Sequence, residues 1–227
     1  MGYYVILGAF TLVGWLVSSR LKSKFKKYSK IPNSSGMSGY EIGMAMMKHY
    51  GVNDVKIVEG RGALTDHYNP TTKTVALSPE VYNGRSIASA AVAAHEVGHV
   101  VQHATAYSML MMRSKLVPVV MFSSRIQQFI VMAFVFSMFS GFTGSWLMIA
   151  LAATFGVTAL FSLITLPVEF DASKRALVWL DDSGITRGAE YDGAKDALWW
   201  AAMTYVASAL SALVMFLYFL MMAQGRD

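Results

Sequence analysis

The segment that decides how this chain folds and acts is residues 92–107, VAAHEVGHVVQHATAY. It holds three of the chain's five histidines and a single acid, Glu96, directly after the first of them. Ser86 is a suitable N-cap, and the Ala-rich run behind it contains no helix breaker. The sequence therefore predicts one long helix that starts at Ile87 and continues past His103.

On that helix His95 and His99 are four residues apart, so both imidazoles extend from the same face and can share one metal ion. Glu96 is rotated by about 100° from His95. It misses the metal but reaches the water that a zinc ion activates, where it can take a proton and later pass one to a leaving amine. HExxH on a helix thus predicts a zinc hydrolase, against the alternative of two buried histidines bonded to backbone.

The ligand set is restricted by composition, because the chain has no cysteine and any metal must be held by His, Asp or Glu. A catalytic zinc needs three protein ligands and one open position. On a continuous helix His103 lies about 12 Å along the axis from His95, too far to share its metal. We predict that His103 does not bind the metal. It either contacts and orients one of the metal ligands or belongs to the core.

Glu169 is the best candidate for the third ligand, since it directly follows the uncharged residues 126–168. An acid at a membrane boundary is costly unless it is paired, solvated or ligating. The alternative is an interfacial carboxylate that pairs with Lys174 or Arg175. Asp171 is two positions further and faces elsewhere on a helix, so we do not expect both acids to ligate.

Long uncharged runs identify this chain as an integral membrane protein, since 55% of its residues are hydrophobic. The middle run is about twice as long as a bilayer core is thick, so it predicts two spans and a turn at residues 140–145. Positive charges follow the first run instead of preceding it, which favours an uncleaved anchor over a signal peptide. We place the four spans at residues 2–19, 126–142, 146–168 and 198–222.

The basic residues predict the orientation. Six Lys and Arg residues follow the first span, and all 19 except Arg226 lie in residues 20–125 and 169–197. By the positive-inside rule these two segments are cytoplasmic, which places the N-terminus outside the cell membrane. The basic cluster after the first span is better suited to lipid than to nucleic acid, so we expect no nucleic-acid partner.

The first cytoplasmic segment has the pattern of a small α+β domain. Ser38 and Glu41 form a capping box that predicts a helix over residues 39–50, with Gly51 behind its end. A helix leaving the third span is expected to end at residues 181–184. Short strands are predicted at residues 55–59, 63–68 and 74–77, with a turn at residues 69–73.

Four runs together resemble the YugP-like membrane zinc metallopeptidases of bacteria: LTDHY (64–68), VY (81–82), VAAHEVGH (92–99) and PVEFDA (167–172). The resemblance covers nearly the whole chain and extends distantly to the HtpX and CAAX prenyl protease type. It implies a mainly α membrane protein with a zincin-like (gluzincin) domain and a short β-sheet. It further implies one Zn²⁺ per chain, bound by His95, His99 and Glu169, with Glu96 as the base.

The resemblance also implies that a strand before the HExxH helix, near residues 63–68 or 74–77, takes an extended peptide by strand addition. The chain departs from the distant relatives at Ser173, where they carry an Asp that orients a zinc-binding His. Here Asp171, Gln102 or a backbone carbonyl would have to replace that Asp.

Two further residues are candidates for stabilising an oxyanion or contacting substrate. His67 could face the cleft, although a histidine at a strand edge is more often solvated. Arg175 could also contact the substrate or an oxyanion. The alternative is that it binds a lipid phosphate or forms an ion pair.

These patterns predict a membrane-embedded zinc endopeptidase that hydrolyses peptide bonds of membrane or misfolded proteins at the cytoplasmic surface. Its partners would be a protein or peptide substrate and the bilayer, and an accessory membrane partner or a second copy stays open. The alternative is a non-catalytic membrane adaptor with a structural zinc, whose fourth ligand would be His103 or Asp171. A transporter is weaker, because the uncharged spans lack intramembrane ionisable residues.

Overall fold

Seven helices and three strands follow one another in the computed structural model, which describes residues 2–140 and 144–225. The fold is mainly helical, with one small sheet near the start of the chain. The elements are α1 (Gly2–Tyr28), α2 (Gly39–His49), β1 (Lys56–Glu59), β2 (His67–Asn69), β3 (Thr74–Leu77), α3 (Pro79–Tyr82), α4 (Ile87–Ala104), α5 (Ser108–Ser140), α6 (Ser145–Asp182) and α7 (Ala189–Ala223).

Local capping signals account for where α2 and α4 begin. The Ser38 hydroxyl accepts a hydrogen bond from the Glu41 backbone N–H (3.2 Å), and the Glu41 carboxylate accepts one from the Ser38 N–H (2.7 Å). Gly51 takes the left-handed conformation behind α2, with φ of 69°. Ser86 caps α4 by accepting from the Ser89 N–H. The predicted starts of both helices are confirmed.

The sheet has the order β1-β3-β2, with β1 parallel and β2 antiparallel to β3. The predicted strand at residues 74–77 is confirmed, whereas the one predicted at residues 63–68 is extended only from His67. The backbone of Leu64 has a positive φ of 56°, which is incompatible with an extended strand, so the strand does not include the start of the predicted range. Because β3 is paired on both sides, it offers no edge to an added peptide, and the expectation for residues 74–77 is wrong.

Four helices are long and apolar enough to cross a membrane: α1, α5, α6 and α7. Each is longer than its uncharged run, and α6 continues through Pro167 to Asp182 as one helix. Gly184, with φ of 73°, follows its end as the sequence predicts. The predicted turn at residues 140–145 includes residues 141–143, which lie outside the described part of the chain.

The chain divides into two compact units. The first comprises the described parts of residues 1–16, 111–166 and 204–227, and its core is rich in aromatic rings such as Phe134 and Phe219. The second comprises residues 17–110 and 167–203 and contains the sheet, α2 and α4. Helix α4 is buried on nearly every side in this second unit, which explains why its sequence is so apolar around HExxH.

Candidate metal centre

Three of the predicted residues come together in the second unit. The ligand atoms of His95, His99 and Glu169 all lie within 4.8 Å of one another. Glu169 Oε2 is 3.4 Å from His95 Nε2 and 3.6 Å from His99 Nε2. Two ligands of one tetrahedral zinc, each at about 2 Å from the ion, are about 3.3 Å apart. The donor set and its spacing therefore fit zinc.

A close approach of two helices brings this group together, since α4 carries both histidines and α6 carries the glutamate. Gly98 lies where the two backbones meet. A Cβ added to Gly98 would be 2.6 Å from the carbonyl oxygen of Ala172, shorter than any normal contact. The glycine within HExxH thus sets the distance at which Glu169 reaches the histidines.

Gln102 holds Nδ1 of His99, the ring nitrogen that does not belong to the group of potential ligand atoms. The side chain of Gln102 is fully buried. His99 Nδ1 lies 3.0 Å from Gln102 Oε1. The Gln102 amide nitrogen donates to the carbonyl of Val168 and to the carboxylate of Asp171, both at 2.8 Å. Since the amide oxygen can only accept, Nδ1 of His99 donates to it, which leaves Nε2 on the side of Glu169 as the nitrogen that could bind a metal ion.

His95 is held by a different group, the hydroxyl of Ser173, which lies 3.1 Å from His95 Nδ1. Asp171, one candidate for this task, instead accepts from Gln102 and from Arg175 Nε (2.6 Å). Ser173 thus contacts the histidine directly from the position where the distant relatives have Asp. Ser173 was not among the residues predicted for this role, although a hydroxyl at that position is itself a usable signal.

Glu96 is buried beside the group, with 8% of its surface exposed, and within the described residues its carboxylate accepts no hydrogen bond. Burial raises the pKa of Glu96, although the neighbouring His95 and His99 act in the opposite direction. Burial disfavours a charged His99, but the hydrogen bond and the charge of Glu169 outweigh it and raise the pKa of His99. The burial of Glu96 therefore favours the protonated form of its carboxyl more than solvent does.

The other candidate residues lie outside the group of potential ligands. His103 Nδ1 is 2.8 Å from the hydroxyl of Tyr68. His67 is exposed on β2, and its Nδ1 is 2.8 Å from the carbonyl oxygen of Thr65. Arg175 binds Asp171, and its guanidinium carbon lies 5.8 Å from the centre of the Tyr107 ring.

Comparison with known proteins gives two matches. Residues 3–224 match the family described as "putative neutral zinc metallopeptidase". The chain is also similar to "Putative membrane protease YugP" of Bacillus subtilis (strain 168), with 41% identity over 226 residues that cover 99% of this chain and 97% of that protein. No solved structure matches the chain.

Proposed function

The chain belongs to this family of zinc metallopeptidases, and on that basis we propose that it is a membrane-embedded zinc endopeptidase that cleaves membrane or misfolded proteins. Its four apolar helices fit a multi-pass membrane protein. The observation that carries the proposal is the convergence of His95, His99 and Glu169 beside a buried Glu96.

The three converging side chains would hold one zinc ion per chain. A zinc ion with three protein ligands supplies Lewis acidity for a scissile carbonyl and for the attacking water. Gln102 and Ser173 would keep both imidazoles in the orientation that leaves their Nε2 atoms available. This ligand set is of the gluzincin type that the resemblance implies.

Glu96 would act as the general base. It follows His95 on α4 and accepts no hydrogen bond from the described residues, so its carboxylate is available to a water molecule. The carboxylate takes a proton from water as the oxygen attacks the peptide carbonyl, and then donates it to the departing amine as the C–N bond breaks. Burial raises the pKa of Glu96, which strengthens the carboxylate as a proton acceptor in the first half of this transfer.

The substrate would bind as an extended strand along β2. This strand is at one edge of the sheet, and only its other side is paired, with β3. Strand addition supplies affinity from backbone hydrogen bonds whatever the sequence of the peptide, which suits a protease acting on varied or misfolded chains. His67 on β2 and Arg175 stay candidates for substrate or oxyanion contacts.

The positions of the basic residues support a site on the cytoplasmic side of a bacterial membrane, with the N-terminus outside. A structural-zinc adaptor is not favoured, because its candidate fourth ligands are engaged elsewhere. His103 contacts Tyr68, and Asp171 accepts from Gln102 and Arg175.

Glu96→Gln tests the proposal, since it removes the base and leaves all three ligands in place. We expect the purified full-length variant to keep one zinc per chain while hydrolysis of an unfolded protein substrate falls by about 10²–10⁴-fold. Glu80→Gln is the matched control, because Glu80 is an exposed glutamate on α3. Full activity in Glu96→Gln would refute the mechanism.

A further inference from the structure

A groove between α6 and α7 in the second unit is not used by the proposed reaction. It encloses a cavity of about 320 Å³. Helix α6 contributes Phe170, Lys174 and Val178, which recur every four residues and so lie on one face. Helix α7 contributes Lys195, Trp199 and Ala202 from one face in the same way. The other lining residues are apolar except for Ser173 and the hydroxyl of Tyr191.

The position of the two lysines along the groove is given by a pair of aromatic rings on the same two helices. The centroids of Phe170 and Trp199 are 6.3 Å apart, so these residues face each other across the groove. Lys174 and Lys195 are each four residues away, in the direction leading out of the uncharged runs. The Cα atoms of both lysines therefore lie about 6 Å, roughly one helical turn, towards the polar side of the aromatic pair.

This position matches the boundary between hydrocarbon and headgroups. The uncharged run of α6 ends at Val168, and that of α7 begins at Ala197. Tryptophan and tyrosine favour this boundary, and Tyr191 and Trp199 both line the groove. The end of the groove at Phe170 and Trp199 is thus at the depth of acyl chains, and the end at Lys174 and Lys195 is at the depth of headgroups.

The two lysines bring positive charge into the groove, and no acidic residue is among the described side chains that line it. In the described part of the chain, neither Lys174 nor Lys195 forms an ion pair. The acids nearest to the two lysines in sequence, Asp171 and Asp196, bind Arg175 and Lys24. Two like charges lining one groove repel each other, and an anion between them removes that repulsion.

We infer that this groove is a binding site for an anionic phospholipid, with the phosphate between Lys174 and Lys195 and an acyl chain along Phe170 and Trp199. The apolar wall and the paired ammonium groups at adjacent levels match the two parts of such a lipid. Ser173 also lines the groove, and its hydroxyl contacts His95, so the bound lipid would lie directly behind the candidate metal centre.

Native mass spectrometry of the full-length protein tests this site without any reference to proteolysis. The protein is exchanged into mixtures of phosphatidylglycerol and phosphatidylcholine with identical acyl chains. We expect the wild type to retain one phosphatidylglycerol in preference to phosphatidylcholine. Lys174→Gln combined with Lys195→Gln should weaken this retention by about 30-fold, since each lysine near a membrane surface contributes about fivefold.

The matched control is Lys22→Gln combined with Lys26→Gln, which removes the same charge from exposed positions on α1. Equal loss in this control would show a general charge effect and overturn the site, as would equal retention of both lipids by the wild type. Displacement of the lipid by inorganic phosphate alone would also contradict a lipid site. If the double variant does not fold, photolabelled phosphatidylglycerol must crosslink to wild-type residues 170–202, and labelling elsewhere overturns the proposal.

Discussion

The two histidines of HExxH are held by unequal surroundings. His99 is fixed by Gln102, a fully buried amide that is itself anchored to Val168 and Asp171 at two points on α6. His95 is fixed by one hydroxyl, that of Ser173, beside a groove. Both arrangements cross from α4 to α6, so the ligand geometry depends on the spacing of these two helices. The difference indicates that the His99 side is the rigid half of the centre.

Gly98→Ala should have the largest effect, because it changes the spacing on which both halves depend. The new methyl group would press on the Ala172 carbonyl oxygen and displace α6 with Glu169. We expect the variant to lose bound zinc and about 1–3 kcal/mol of stability. Zinc analysis and thermal unfolding measure these effects. Gly14→Ala, where the added Cβ meets nothing within 4 Å, is the control, and identical behaviour of the two variants would contradict the role of Gly98.

Gln102→Ala should have the next largest effect. It removes the acceptor for His99 Nδ1 and both anchors to α6, so the imidazole can rotate away from the metal position. Loss of such a partner typically lowers metal affinity by about 10–100-fold. Competition with a chelator of known zinc affinity measures it. An unchanged affinity would show that Gln102 does not orient His99.

Ser173→Ala should weaken zinc less, by no more than about tenfold, because one neutral hydrogen bond is lost. The same chelator competition measures this variant, with Ser173→Thr as a control that keeps a hydroxyl. A loss equal to that of Gln102→Ala would abolish the distinction between a rigid and a loose half.

Much of the fold could be predicted from local signals. The capping residues Ser38 and Ser86 set the starts of α2 and α4, and the bounds of β3 follow from alternation between turn residues. The strand before it was predicted too long, because a single positive φ at Leu64 has no clear sequence signature. The continuation of α6 beyond its uncharged run to Asp182 was predicted, because turn residues follow at its end. The lengths of α5 and α7 beyond their uncharged runs were not predicted, since charged helical turns continue from the spans without a break.

The part of the candidate site that lies on the single helix α4 could be predicted from residue spacing. The spacing of His95 and His99 predicts a shared ion, and excludes His103 by distance alone. What joins α4 to α6 was harder to predict, because contacts between distant segments leave no periodic pattern. The role of Gly98 as a close-approach residue and the bond from Ser173 to His95 belong to this class.

The zinc content of four purified alanine variants tests the central claim most directly. Loss of zinc from His95→Ala and Glu169→Ala, with one zinc per chain retained by Asp171→Ala and His103→Ala, is the predicted result. The first pair supplies ligand atoms to the group within 4.8 Å, and the second pair lies outside it. Zinc retained at full stoichiometry by Glu169→Ala would contradict the ligand set and, with it, the proposed centre.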